Sequence, residues 1–190
     1  DDAPKAATRE GIERRITSDI DSVRQSVTKA KIAKKERKNL LRELDAIEKG
    51  FESAPPEFGD DFRTILPFNP LHARVFKVQA ALWKAQGYAP LTVWQADVWG
   101  NLTPWQLPAV KSAPDVTVRM MANEYRAGAF NVSNASPEAL ALKLRIIGIP
   151  GGDNPGYITV HQVEWTDTKT GRVVAAALPE AVREGDGYVI

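Results

Sequence analysis

Leu140-Ala141-Leu142-Lys143-Leu144-Arg145-Ile146 alternates without a break, with Leu and Ile at the even positions and Ala, Lys and Arg at the odd ones. Successive side chains of a strand point to opposite faces, so this heptapeptide as a strand has one apolar face and one charged face. A helix would scatter the same residues around its circumference. Strands with a single apolar face belong to antiparallel sheets that rest on a core through that face. This stretch therefore sets the expected fold of the C-terminal part of the chain.

The same pattern continues on both sides. Upstream, Val116, Val118 and Met120 alternate with Thr117 and Arg119, and a second strand is expected from Glu124 to Ser133, before the turn Ser133-Asn134-Ala135-Ser136-Pro137. Downstream, residues 148–156 hold four Gly and two Pro and read as a loop. A further strand is expected from Tyr157 to Thr166. Asp167-Thr168-Lys169-Thr170-Gly171 reads as a short hairpin connection with Gly171 at positive φ, returning antiparallel through Val173–Leu178. Gly187-Tyr188-Val189-Ile190 resembles the start of another strand, and the expectation is an incomplete sheet or a fragment. Five or six consecutive antiparallel strands point to a β-sandwich.

The first half of the chain has the helical period. Ile12, Ile16, Ile20, Val23 and Val27 form one stripe, and Leu40, Leu44, Ile47 and Phe51, widened by Leu41, form another. Between them the run from Lys29 to Lys38 is basic and poor in apolar residues. This predicts two antiparallel helices joined near residues 29–34; no Gly or Pro interrupts the stretch, so one long helix is the alternative. The basic run lacks the interleaved aromatics that stack on bases, and it reads as a solvated loop and helix start rather than a nucleic-acid patch. Ala54-Pro55-Pro56-Glu57-Phe58-Gly59-Asp60-Asp61 is a linker by its turn chemistry. A third helix is expected from about Leu71 to Gln86, with Asn69 as cap, Pro70 in the first turn and Gly87 as a C-terminal stop. Leu91–Trp99 then reads as a strand. The expected fold class is α+β: a helical hairpin over 1–53, a Pro- and Trp-rich helix–strand connector over 54–113, and an antiparallel β-sandwich over 114–190.

Composition excludes several functions. The 190 residues contain no Cys, which removes disulfides, thiol nucleophiles and thiolate metal sites. Only His72 and His161 are available for a histidine-built metal centre, and His72, with no second His or acidic cluster at i+3 or i+4, reads as a structural residue. Lys plus Arg is 25 against 24 for Asp plus Glu, so bulk charge gives no reason to expect nucleic acid or an anionic membrane as partner. No apolar run approaches the roughly 20 residues that span a bilayer. Nucleophile elbows, zinc motifs, phosphate loops and dinucleotide fingerprints are absent, and no cofactor is implied. Asp1-Asp2-Ala3-Pro4 carries no signal-peptide pattern, although a polar start of this kind also suits a processed secreted chain. The sequons at Asn101, Asn131 and Asn134 read as chance matches.

The run Val118-Arg119-Met120-Met121-Ala122-Asn123-Glu124-Tyr125-Arg126-Ala127-Gly128-Ala129-Phe130-Asn131-Val132-Ser133-Asn134 resembles the A-x-N-E-Y/F…F-x-(V/L)-x-N opening of β-sandwich domains in large secreted glycoside-hydrolase-like proteins. The likeness spans roughly residues 115–178, and Tyr157–Thr168 is compatible with it. It implies an accessory sandwich placed before a catalytic domain, in a secreted or cell-surface (periplasmic or extracellular) protein. It implies no activity for this chain, and the helical half lies outside it.

Candidate ligand-contacting residues follow from chemistry. Trp94, Trp99 and Trp105 fall within twelve residues, and aromatic faces can carry sugar rings as well as fill cores. Trp94 and Trp99 point to opposite sides of a straight strand, so they form no single platform without a bulge. Asp97, Glu124 and Glu164 are the acids near aromatics, whereas glycoside hydrolysis needs two carboxylates about 5–10 Å apart. Glu124 and Arg126 share one strand face, which suits an ion pair. No catalytic residue and no metal ligand is assigned. Three functions remain: a non-catalytic scaffolding module that binds glycan or an adjacent protein domain; a fragment of a glycoside-hydrolase-like enzyme completed elsewhere; or an assembly protein that forms homo-oligomers through the helical hairpin.

Overall fold

The computed structural model describes residues 3–53, 62–96, 102–109 and 114–190, with the side chains of the first helix described from Ala7 on. Helix α1 (Ala3–Lys29) and helix α2 (Lys34–Ser53) form the hairpin, so the single long helix is not what this sequence adopts. The break has local causes. Ser22, Ser26 and Thr28 bond back to the carbonyls of Ser18, Ser22 and Arg24, a habit that weakens helix ends. Arg37 from the next helix then donates to the Ala30 carbonyl at 2.6 Å, placing a cation at the negative end of α1. Arg24 links the two helices by bonding Asp45 at 3.0 Å and Glu48 at 2.8 Å.

Helix α3 (Pro70–Ala85) begins and ends as its sequence predicts. Asn69 Oδ1 accepts the His72 backbone N–H at 2.7 Å, and Pro70 occupies the first turn. At the other end Gly87 has φ +89°, and the Tyr88 and Gly87 N–H groups bond the Trp83 and Lys84 carbonyls. That is a Schellman closure, which needs the left-handed conformation that Gly supplies. The three helices bury Ile12, Ile16, Ile20, Val23 and Val27 of α1, Leu44 and Ile47 of α2, and Val75, Val78 and Leu82 of α3 in one core. Each such side chain contributes about 1.5–3 kcal/mol on burial. The α1 stripe is thus covered by α2 and α3 of the same chain.

The chain divides into two units, one of Asp1–Phe62 and Pro67–Pro137, the other of Arg63–Leu66 and Glu138–Ile190. The first holds the helices and a two-stranded antiparallel sheet of β1 (Leu91–Trp94) and β2 (Asn131–Asn134), in register from Leu91 opposite Asn134 to Trp94 opposite Asn131. This ladder ties residues up to Pro137 to the helical unit, so the unit boundary lies beyond position 114. The second unit holds a three-stranded sheet, in the order β3 (Lys143–Leu144), β7 (Gly187–Val189), β6 (Arg183–Glu184), and a hairpin of β4 (Glu164–Asp167) and β5 (Val173–Ala177). The β4–β5 turn closes as expected, with the Gly171 N–H on the Thr168 carbonyl and φ +76° at Gly171.

The architecture is α+β with several small antiparallel sheets, and the ladders are short. Among the described residues Val116–Met120 joins no ladder, and only the last residues of Glu124–Ser133 join one. At Gly128 a Cβ would lie 2.4 Å from Val116 Cγ1, so the two segments approach closely there and a larger residue would push the Val116 side chain aside. The expected strand Tyr157–Thr166 is interrupted. Its register shifts between Glu164 and Trp165, and upstream it meets Glu180 only through an isolated bridge at His161, next to Pro179, which has no N–H to donate. The alternation of residues 140–146 is realised where the ladder is short: Leu142, Leu144 and Ile146 are half-buried while Ala141, Lys143 and Arg145 are exposed.

Candidate functional site

Among the described residues the buried charged cluster lies between α1, which supplies two charges, and α3, which supplies a ring. Asp19 is 0% exposed, Arg15 6% and His72 0%. Arg15 and Asp19 are i, i+4 neighbours beside the Ile12–Ile16–Ile20 stripe, so packing that stripe takes them inward with it. Arg15 Nε donates to Asp19 Oδ2 at 2.8 Å and its Nη2 donates to Oδ1. His72 Nε2 lies 3.0 Å from Oδ2, and Trp105 Nε1 donates to Oδ1 at 2.9 Å. The Phe68 backbone N–H donates to His72 Nδ1 at 3.3 Å, which needs a lone pair there and leaves the ring proton on Nε2, facing Asp19.

Aromatic rings surround this cluster in series. Phe62 lies 6.5 Å from Phe68, Phe68 and Phe76 each lie 5.3 Å from His72, and Phe76 lies 4.6 Å from Trp105. A carboxylate offers about four acceptor sites, and here two guanidinium contacts, an imidazole and an indole fill them. Both imidazole nitrogens are engaged as well. The carboxylate and the imidazole are thus committed to partners within the cluster, which ties α1 to α3. Breaking a buried ion pair of this kind is costly, because the remaining charge is left without a partner.

Of the sequence-nominated residues Trp105 joins this cluster, while Trp94, Glu124 and Glu164 have other partners. Trp94 is buried, with Nε1 donating to Ser133 Oγ at 2.9 Å across the β1–β2 ladder, and it offers no open face to a sugar. Trp105 is half-buried and belongs to the Asp19 cluster. Asp97 and Trp99 lie outside the described residues. Glu124 sits in the turn at Met121–Glu124: its Oε2 accepts the Met121 N–H at 2.9 Å and its Oε1 the Arg126 Nε at 2.7 Å. The Met121 bond first and the Arg126 bond second hold its carboxyl below the ordinary range. The Glu124–Arg126 pair is the one expected from their spacing. Glu164, on β4, is bonded to Arg63 at 3.0 Å.

The sequence reading missed Asp19 and Arg15 altogether. Its search around His72 was confined to i+3 and i+4, while the partner lies 53 positions away on another helix. The available signal was a pair of opposite charges at i, i+4 flanking an apolar stripe, in a chain with aromatics at 68, 76 and 105.

Two further features complete the description. A shallow groove of about 560 Å³ follows the solvent side of α1 past Glu10, Arg14, Thr17 and Asp21, on one helix face and away from the cluster. Among the described residues no three His, Asp or Glu side chains gather at metal-binding distance, and no helix is long and apolar enough to cross a membrane. Comparison with known proteins gives no match, whether to family models, to curated proteins or to solved structures.

Proposed function

We propose that this chain is a non-catalytic accessory module of a secreted or cell-surface carbohydrate-processing protein, serving to dock or position a neighbouring domain or a glycan. In this reading the two small sheets of the C-terminal unit are the layers of a β-sandwich. The observation that carries the proposal is how Asp19, Glu124 and Glu164 are engaged. Asp19 is buried with every acceptor site filled, and Glu124 and Glu164 are each bonded to an arginine close by. Exposed apolar side chains meanwhile concentrate in the β part, with Tyr125 99%, Met121 75%, Tyr157 65% and Val182 64% exposed. Exposed apolar side chains of this kind are available to a partner. The carbohydrate setting rests on the resemblance of residues 115–178.

The test is direct. The purified chain is incubated with aryl glycosides and a panel of polysaccharides, and is applied to a glycan array. The expected outcome is no release of reducing sugar, with any glycan retention unaffected by Glu124→Gln or Glu164→Gln. Turnover that disappears in either variant would sink the accessory reading.

A further inference from the structure

The arm of residues 114–120, Pro114-Asp115-Val116-Thr117-Val118-Arg119-Met120, joins no ladder among the described residues, although Val116 and Val118 lie against Gly128. Every side chain from Asp115 to Met120 is exposed, including Val116, Val118 and Met120. Among the described residues the backbone of 115–120 makes no hydrogen bond, so its N–H and C=O groups form a free strand edge. Such edges pair with other strands unless something blocks them.

The charges on the arm indicate which strand. Asp115 has only a weak contact, Thr117 Oγ1 to its Oδ1 at 3.4 Å, and neither it nor Arg119 has an ion partner among the described residues. In an extended segment Asp115, Thr117 and Arg119 share one face, and Val116, Val118 and Met120 share the other. We propose that this arm pairs antiparallel with the same arm of a second copy, about a two-fold axis through Thr117. That register sets Asp115 of each copy opposite Arg119 of the other, Val116 opposite Val118, and Thr117 opposite itself. Sliding by two residues places Asp115 or Arg119 opposite Thr117 and separates the ions, and sliding by one sets the apolar face of one arm against the charged face of the other. The arm is therefore self-complementary in one register, as an isologous two-fold contact requires. Opposite charges and β-branched residues directly across from each other are the pairs that stabilise antiparallel strands. The inference stands independently of the accessory reading, since it concerns what the arm pairs with and not what the module serves.

Charge exchange tests it without disturbing the core. Sedimentation velocity of the 190-residue chain is expected to show a concentration-dependent dimer. Arg119→Asp makes positions 115 and 119 both acidic, and Asp115→Arg makes them both basic. Each variant alone is expected to raise the dimer dissociation constant at least about tenfold. An equimolar mixture of the two restores opposite charges at both contacts and is expected to dimerise at least as well as the wild-type chain, as is the double variant D115R/R119D. A wild-type chain that stays monomeric up to about 1 mM overturns the proposal and leaves the arm to a different partner. So does dimerisation that neither single variant weakens, or a mixture that fails to recover it. Circular dichroism confirms that the variants keep the wild-type helix content.

Discussion

Replacing Asp19 with Ala is the most informative single perturbation of this fold. The carboxylate accepts from Arg15 Nε at 2.8 Å and also from its Nη2, from His72 Nε2 at 3.0 Å and from Trp105 Nε1 at 2.9 Å. The variant leaves a guanidinium buried without a counter-charge, and breaking a buried pair in this way costs about 3–5 kcal/mol. Two ring N–H groups lose their acceptor too, at about 1–3 kcal/mol each when buried. These terms overlap, because the vacated space lets Arg15 swing or water enter. The expected net loss is about 4 kcal/mol, against the roughly 5–15 kcal/mol that holds a domain folded. Urea titration followed by far-UV circular dichroism measures it: at a slope of about 2 kcal/mol/M the midpoint falls by about 2 M. The double variant Arg15→Met/Asp19→Leu removes both charges and is expected to recover part of the loss. A midpoint shift under about 0.5 M for Asp19→Ala, or a double variant as unstable as the single, would refute the view that paired burial of these charges organises the helices.

Three other outcomes are expected. Nitrogen-15 spectra should place the His72 ring proton on Nε2; a proton on Nδ1 would contradict the Phe68 N–H contact. Asn154→Ala should destabilise the C-terminal unit by about 2–3 kcal/mol in urea, because the Asn154 side chain accepts the Ile146 N–H and donates to the Asp186 carbonyl, both at 2.8 Å, and its φ of +46° is one that Ala adopts poorly; an unchanged midpoint would show that the loop from 148 to 156 is not pinned there. Glu124, held below its ordinary value of 4.5, stabilises the turn above that value, and the contribution is lost as pH falls through the lower folded value. Arg126→Ala should move the Glu124 carboxyl titration up towards 4.5 but not all the way, since the Met121 bond is the larger cause and remains.

The helices were legible in the sequence because their signals are local. The stripes at 12–27 and 40–51, the Asn69–Pro70 start and the Gly87 stop are all read within one or two turns, and each appears where the sequence places it. The β4–β5 hairpin was legible for the same reason, since Asp167–Gly171 carries its own turn chemistry. What escaped depends on distance. Strand length depends on the partner edge: Val116–Met120 has the strand pattern and no ladder among the described residues, and Leu140–Ile146 keeps its alternation while only Leu142, Lys143 and Leu144 pair with the C-terminal segment. That pairing also needs Gly187, where a Cβ would meet the Leu144 carbonyl at 2.8 Å, a demand that pattern alone does not reveal. The Asp19–His72 contact joins two helices separated by the whole hairpin return, and no periodicity announces it.

Among the described residues the exposed apolar surface lies away from the helices. None of the large hydrophobic side chains left exposed belongs to α1, α2 or α3; they run from Leu91 through the arm and into the β unit. Assembly through the hairpin stripe would first have to expose Ile16, Val23, Leu44 and Ile47, each 0% exposed and held against α3. Opening that core costs more than a surface contact returns, since one Leu→Ala change in such a site already costs about 2–5 kcal/mol. Association should therefore leave the helices untouched and protect the strand edge. Hydrogen exchange compared between dilute and concentrated chain tests this: slower exchange is expected at the amides of 115–119, with α1–α3 unchanged. Concentration-dependent protection confined to α1 and α2 would instead make the hairpin the interface and remove the arm from the argument.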